Sequence, residues 1–235
     1  MSDSIKFLLP ELAGLDNNLT NKFKILAVSK HQSVEKIIDL VRKMGLSDFG
    51  ENYLQEAIPK INQLKELKLT WHFIGPIQSN KTADIAKYFD WVHSVDRPKI
   101  LDRLAYQRDP ALGKLSICLQ VNIDHEVTKS GTSPELLFKL VAQAQNLIEK
   151  ENKPIVLKGL MAIPSQIHAL GSLEDQRKPF RSLKKLFDHV KSELSPSMRE
   201  DFEVLSMGMS ADFKAAILEG STLIRLGTRL FGQRG

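Results

Sequence analysis

The chain has 235 residues, of which 42% are hydrophobic and 26% are charged, and its formal net charge is +5. This length suits one large domain or two small ones, and both fractions are ordinary for a globular protein. The basic residues are scattered and no basic stretch is interleaved with aromatics, which favours a solvated surface and argues against a nucleic-acid partner.

Eight short apolar runs recur along the chain and are separated by longer amphipathic segments. Several are rich in Val, Ile and Phe, and all are too short to be independent helices, so they predict strands. The runs are FKILAVSK from Phe23, SDFGEN from Ser47, WHFIG from Trp71, WVHSVD from Trp91, LSICLQVN from Leu115, VLKGLMAI from Val156, FEVLSMGM from Phe202 and TLIRLGT from Thr222.

The amphipathic segments between these runs predict helices, some of them with recognisable caps. The helices with caps cover residues 34–44 between the cap Ser33 and the stop Gly45, 134–150 after the cap Ser133, and 211–219 between Ser210 and Gly220. Further helices are predicted over 53–67, 79–88, 97–107 and 173–194, and an extra helix within the first twenty residues. The stretch 167–179 is polar and predicts a loop.

Strands that alternate with helices imply a parallel sheet with right-handed crossovers. Eight such units in this length predict an α/β fold, a closed (β/α)8 TIM barrel with an extra N-terminal helix, forming a single domain over residues 1–235. The alternative is an open doubly wound sheet, which the lack of a Gly-rich dinucleotide turn after the first strand weakens.

The remaining composition predicts the compartment and argues against a metal. The only cysteine, Cys118, cannot form an internal disulfide or a cysteine-rich zinc site, and it predicts a buried thiol in a reducing compartment. The six histidines have no metal-ligand spacing. Because there is no signal-like N-terminus and no run of membrane-spanning length, we expect a cytoplasmic protein with no membrane partner.

Lys30 stands at the end of the first predicted strand, where barrel enzymes place their functional groups. An amine at that position can form a Schiff base with an aldehyde if it is desolvated enough to lose its proton. Taken alone, Lys30 is weak evidence, because a lysine at a strand end is more often an ordinary surface residue.

The last two strand ends predict a phosphate site, because barrels often bind phosphate in the loops after strands seven and eight. The seventh run is followed by a segment in which Ser206 and Ser210 offer hydroxyls and Gly208 a permissive backbone. The eighth is followed by Gly227 and Thr228, which offer a close backbone approach and another hydroxyl. An ordinary strand-end turn is the alternative for Gly227.

Arg225 lies inside the eighth predicted strand and shares one face with Leu223 and Gly227. It faces either the surrounding helices or the barrel mouth. A buried guanidinium needs acceptors, and the ring nitrogen of a cofactor or an acidic side chain would serve.

Seven stretches of the chain resemble the family of small pyridoxal phosphate homeostasis proteins, which are fold-type III pyridoxal phosphate proteins. They are AVSK, FGENYLQE, WHFIGPIQSNK, VNIDHEVTKSG, KGLMAI, LSMGMSADF and IRLGTRLFG, and they run from Ala27 to Gly232. The resemblance implies pyridoxal 5'-phosphate as cofactor, held by Lys30 as an internal aldimine. It also implies that Ser206 and the Gly227–Thr228 backbone hold the phosphate, that Arg225 lies near the pyridine nitrogen, and that Asn52 lies beside the cofactor.

The resemblance also implies a carrier without a dedicated catalytic activity or catalytic residues. An arginine at the pyridine nitrogen leaves the ring unprotonated and weakens the electron sink, although fold-type III alanine racemases also have one there. Those racemases add a tyrosine base from a further domain of a partner subunit, whereas Tyr53, Tyr88 and Tyr106 fall in predicted helices. We therefore expect a carrier that supplies the cofactor to pyridoxal phosphate-dependent apo-enzymes. Because no unusual apolar stripe lies outside the barrel pattern, we expect a monomer. The alternatives are a racemase-like enzyme with an unidentified second base, and a barrel that binds phosphate esters without a covalent link.

Overall fold

The computed structural model of the chain describes residue 12 and residues 23–232, apart from 125, 127–128, 166–167 and 169. Eight parallel strands close into a barrel in the order in which they occur along the chain. The strands are β1 Lys24–Val28, β2 Asp48–Glu51, β3 Thr70–Phe73, β4 Trp91–Val95, β5 Leu115–Gln120, β6 Ile155–Met161, β7 Val204–Ser206 and β8 Leu223–Leu226. The predicted (β/α)8 barrel is confirmed, and the pairing of β1 with β8 excludes the open sheet.

Helices connect the strands on the outside of the barrel. They are α1 Val34–Met44, α2 Leu54–Gln63, α3 Thr82–Tyr88, α4 Pro98–Gln107, α5 Pro134–Gln145, α6 Leu173–Glu193, α7 Pro196–Asp201, α8 Phe213–Leu218 and α9 Thr228–Phe231. Short 3-10 turns precede β3, α3 and β5, and a π-helical turn over Asn146–Lys150 extends α5. The predicted N-terminal helix lies outside the described residues.

The capping signals read from the sequence are confirmed at two helices. The Ser33 side chain accepts a hydrogen bond from the N–H of Lys36 at the start of α1, and Gly45 ends this helix at φ +62°. The Ser133 side chain accepts from the N–H of Leu136 at the start of α5. Each hydroxyl satisfies an N–H that has no partner inside its helix.

The start of one predicted helix and the extent of one predicted loop differ from the structure. The helix expected near Ala211 begins at Phe213, because Asp212 Oδ1 accepts from the N–H of Met209 at 2.6 Å and holds a turn ahead of it. The helix predicted over 173–194 is confirmed, because it begins at Leu173 behind a capping box of Ser172 and Asp175, so the overlapping loop prediction fails from residue 173 onwards.

The inside of the barrel differs from the surrounding core. The apolar core lies between the strands and the helices, whereas side chains on the inner face of the strands include polar ones. Parallel register places Arg225 beside Leu26, Gly50 beside His72, and His72 beside Trp91. Interiors of such barrels are typically filled with branched apolar residues, so this polar content marks a specialised interior.

No helix in the described ranges is long and apolar enough to cross a membrane.

Candidate functional site

The predicted site residues lie in or shortly after four neighbouring strands of the barrel, β7, β8, β1 and β2. Since all strands are parallel, the segments after them meet at one end, the carboxyl-terminal mouth. Ala27 pairs with Leu226, and a Cβ built on Gly227 would lie 3.6 Å from the carbonyl oxygen of Val28. The turn after β8 therefore lies against the turn that contains Lys30.

Lys30 lies two residues beyond the end of β1 and is half-buried. Ser29 before it is fully buried, and His31 after it has a φ of +61°. A left-handed conformation is uncommon for a residue other than glycine and is found in turns and at functional sites. The backbone on both sides of Lys30 therefore has a defined conformation.

A buried cluster of charged side chains next to Lys30 stabilises this backbone conformation. Lys60 Nζ donates to the carbonyl of Ser29 at 2.7 Å, to Glu51 Oε1 at 2.8 Å and to Glu56 Oε1 at 2.5 Å. The Ser29 hydroxyl donates to Glu51 Oε1 at 2.7 Å, and the N–H of His31 donates to Glu56 Oε1. The cluster thus bonds to both residues that flank Lys30.

The cluster is deeply buried: the Glu51 side chain is 0% exposed and that of Lys60 is 8% exposed. Burial raises the pKa of Glu51, although the hydrogen bonds from Lys60 and Ser29 oppose the shift. Sequence reasoning missed this cluster. The signal was present, because Lys60 shares the buried face of α2 with Leu54 and Ala57.

The loops after β7 and β8 meet through their hydroxyls and a guanidinium. Ser210 Oγ and Thr228 Oγ1 lie 3.5 Å apart, and Arg229 Nε donates to the Ser210 carbonyl at 2.9 Å. Gly208 has a φ of +94°, and a Cβ there would lie 2.5 Å from the Cβ of Ala216. Only glycine suits that position, and it brings the loop over the end of β8.

Ser206 is the last residue of β7. Its hydroxyl is fully buried inside the barrel, where it accepts from Arg225 Nη1 at 2.9 Å and lies 3.0 Å from His93 Nδ1. Ser210, four residues later, is the hydroxyl that reaches the loop opposite Thr228.

Arg225 points into the barrel and not toward the helices. It is 3% exposed, and it donates to the carbonyls of Ser206 at 2.6 Å and Ala162 at 2.9 Å. Within the described residues, no carboxylate lies within 4.0 Å of its guanidinium, so its acceptors are neutral. Burial lowers the pKa of Arg225 to about 10, which leaves it charged at neutral pH.

Asn52 lies just after β2 and borders a cavity of about 290 Å³ at the same mouth. Its Oδ1 is buried and has no hydrogen-bond partner in the structure. A Cβ built on Gly75 would lie 2.2 Å from the Asn52 carbonyl oxygen, so glycine is needed for this close approach. An orphaned amide oxygen beside a cavity is a group that a ligand can satisfy.

The prediction that Tyr53 belongs to a helix is wrong. Tyr53 caps α2 in an extended conformation, one residue beyond Asn52, and is 47% exposed. Its ring lies 5.6 Å from that of His31. Tyr88 and Tyr106 do lie in helices, as predicted. One phenol is therefore near the Lys30 turn, because helix α2 starts later than its apolar pattern indicated.

This mouth thus brings together a half-buried amine, paired hydroxyls and a buried guanidinium. Such a set suits an aldehyde that also bears an anionic group and a weakly basic ring atom.

Residues 12–235 match the model of the alanine racemase N-terminal domain family. A pyridoxal phosphate homeostasis protein of Pseudomonas aeruginosa is 47% identical over 210 residues, which cover 89% of this chain and 84% of that protein. The structure of PipY from Synechococcus elongatus with pyridoxal phosphate bound is similar with a TM-score of 0.80 and 32% identity, covering 97% of this chain and 100% of that one. An alanine racemase from Corynebacterium glutamicum has the same fold, with a TM-score of 0.64, 15% identity, and coverage of 97% of this chain and 60% of that one.

Proposed function

This chain belongs to the alanine racemase N-terminal domain family, as one of its pyridoxal phosphate homeostasis proteins, and we propose that it binds pyridoxal 5'-phosphate at the carboxyl-terminal mouth of its barrel. The observation that supports the proposal best is the meeting of the Lys30 turn with the turn after β8. PipY, which has the same fold along its whole length, has the cofactor bound.

We assign Lys30 as the residue that holds the cofactor covalently. Its amine would condense with the aldehyde carbon, forming a C=N bond and releasing one water molecule. The ion cluster around Lys60 would hold Ser29 and His31 still, so that the amine meets the aldehyde from one direction.

We assign the phosphate to the Gly227–Thr228 backbone and to the hydroxyls of Thr228 and Ser210, which face each other. Ser206, expected from the sequence to share this role, is reassigned. Its hydroxyl is already bonded to Arg225 and His93, so it supports the guanidinium.

We assign Arg225 to the pyridine nitrogen and Asn52 to the edge of the ring. A guanidinium donates a hydrogen bond and keeps its own proton, so it favours an unprotonated ring nitrogen and a weak electron sink. The unsatisfied Oδ1 of Asn52 fits a donor group on the bound cofactor.

The role that fits this chemistry is storage and supply of the cofactor, not turnover of an amino acid. We propose that residues 1–235 form one domain that acts as a cytoplasmic monomer and releases the cofactor to pyridoxal phosphate-dependent apo-enzymes. An open mouth suits such exchange, because amines and recipient proteins can reach the bound aldehyde carbon.

Borohydride reduction tests the covalent assignment directly. Reduction of the loaded protein followed by peptide mass spectrometry should find a pyridoxyl group on Lys30, and the absorbance band near the visible edge should disappear. Lys30→Ala should lack both, whereas the surface variant Lys43→Ala should keep both. An adduct mapped to another lysine would overturn the assignment. Tight binding without any adduct would instead favour the phosphate-ester barrel.

A racemase-like enzyme is the second candidate, and the position of Tyr53 favours it. A phenol beside His31 could act as the base that faces Lys30 across a substrate. Exchange of the α-hydrogen of amino acids in deuterated water discriminates between the two functions. Exchange clearly faster than with free pyridoxal phosphate, lost in Tyr53→Phe but kept in Tyr106→Phe, would establish the enzyme. Exchange no faster than with the free cofactor supports the carrier.

A further inference from the structure

A column of hydrogen-bonded side chains runs along the inside of the barrel. His72 Nε2 lies 3.1 Å from Asp48 Oδ1, and His72 Nδ1 lies 2.9 Å from His93 Nε2. His93 Nδ1 lies 3.0 Å from Ser206 Oγ, to which Arg225 Nη1 donates at 2.9 Å. These five residues come from five different strands, so the closed barrel alone brings them into line.

Burial favours the neutral form of both histidines in this column. Burial lowers the pKa of His72, and it lowers the pKa of His93 well below its ordinary value. Burial would raise the pKa of Asp48, but hydrogen bonds from His72 and Ser47 outweigh it, and the pKa is lowered. Near neutral pH the column therefore ends on a carboxylate.

A carboxylate only accepts hydrogen bonds, and this property fixes the direction of every bond in the column. His72 must hold its proton on Nε2 to donate to Asp48, so its Nδ1 must accept from His93 Nε2–H. His93 Nδ1 is then an acceptor, and the Ser206 hydroxyl donates to it. The same hydroxyl oxygen is left to accept from Arg225.

The two ends of the column differ in their access to water. The Asp48 side chain is 27% exposed and borders a cavity of about 560 Å³ at the amino-terminal mouth, together with Lys24 and Trp91. Arg225 at the other end is 3% exposed. We propose that Asp48, His72, His93 and Ser206 form a one-directional relay that positions the Arg225 guanidinium from the opposite end of the barrel.

Only the contact between Arg225 and a cofactor ring rests on the proposed function. The relay itself belongs to the protein without cofactor, where directing the Ser206 proton to His93 leaves the lone pairs of the hydroxyl oxygen available to Arg225. His93 and His72 are therefore positioning residues, since neither contacts Arg225 in the structure.

Nitrogen NMR of the cofactor-free protein labelled with ¹⁵N-histidine tests the relay. Between pH 7 and pH 8, His72 and His93 should both be neutral with the proton on Nε2. A scalar coupling should also be detectable across the bond from His93 Nε2–H to His72 Nδ1. A proton on Nδ1 of either residue, or absence of the coupling, would overturn the proposal.

Asp48→Asn tests transmission along the column, because an amide no longer forces one direction. The nitrogen shifts of His93 should change although His93 does not contact residue 48, and its Nδ1–H form should become populated. Asp39→Asn makes the same chemical change on the surface and should leave these shifts unchanged. Identical His93 shifts in Asp48→Asn and the unmodified protein would refute the coupling. Because this test uses no cofactor, it can refute the relay while the borohydride test supports Lys30 as the cofactor lysine. The relay can equally be supported when the borohydride test fails.

Discussion

Replacing Lys60 by methionine tests how much the buried ion cluster stabilises the Lys30 turn. Methionine keeps the length of the side chain and removes the ammonium, which donates three hydrogen bonds. The Glu51 carboxylate, 0% exposed, would be left without its counter-charge. Removing one partner of a buried pair costs about 3–5 kcal/mol in the free energy of unfolding.

The size of this loss should depend on pH, and the direction follows from Glu51. Without the ammonium, the pKa of folded Glu51 rises further above that of the unfolded chain. The folded variant then binds a proton that the unfolded chain lacks, so the destabilisation is full at high pH and shrinks as pH falls. The free energy of unfolding of the variant changes by about 1.4 kcal/mol per pH unit where Glu51 is protonated in the folded state and ionised in the unfolded chain.

Urea denaturation at pH 8 and pH 5 measures both effects, and Glu51→Gln combined with Lys60→Met should recover most of the loss. Lys65→Met is the matched control, because Lys65 and Glu66 form an exposed pair at 3.9 Å and such pairs contribute about 0–1 kcal/mol. A loss below about 1 kcal/mol in Lys60→Met, or one that is the same at both pH values, would refute a structural role for the cluster.

Three further predictions concern other parts of the barrel. The free energy of unfolding should fall as pH drops below about 6.5, because His72 and His93 take up protons in the unfolded chain that they do not bind in the folded protein. Urea titrations at several pH values should show a smaller dependence on pH in His93→Phe. Gly208→Ala should destabilise the protein by about 2–5 kcal/mol in thermal or urea unfolding, against about 1 kcal/mol for Gly45→Ala. Both glycines have a positive φ, but of the two only Gly208 lacks room for a Cβ. Equal losses in the two variants would contradict the close contact at residue 208. Burial raises the pKa of Cys118 to about 12, so a thiol reagent at pH 8 should react with it only after unfolding, and rapid labelling of the folded protein would refute this.

The barrel was predictable because its signals are local and repeated. Each strand is a short apolar run, and caps such as Ser33 and Ser133 mark where helices begin. The signal failed where a side chain acts against the apolar pattern. Asp212 holds a turn that delays α8. The start of α6 was predicted at residue 173, although the polar composition around it also indicated a loop.

For the candidate site, the sequence predicted which strand ends carry its residues, but not the hydrogen bonds between these residues. Lys30, Asn52 and the Gly227–Thr228 turn follow strands that parallel pairing brings to one mouth. Which hydroxyl faces which loop depends on register, and a sequence does not show that Ser206 points inward while Ser210 points to Thr228. The bonds from Lys60 to Ser29 and Glu51 and the His72–His93 contact join residues 9 to 31 positions apart, and only the closed fold brings these residues together.

The column inside the barrel restricts how this sequence can change over generations. Each internal member serves two neighbours, so a substitution at His93 removes one hydrogen bond from His72 and one from Ser206. A single replacement therefore loses two bonds at once, and a second replacement that suits the first reduces the loss. Divergent descendants of this chain should exchange these positions jointly, whereas the apolar positions beneath the helices can drift one at a time.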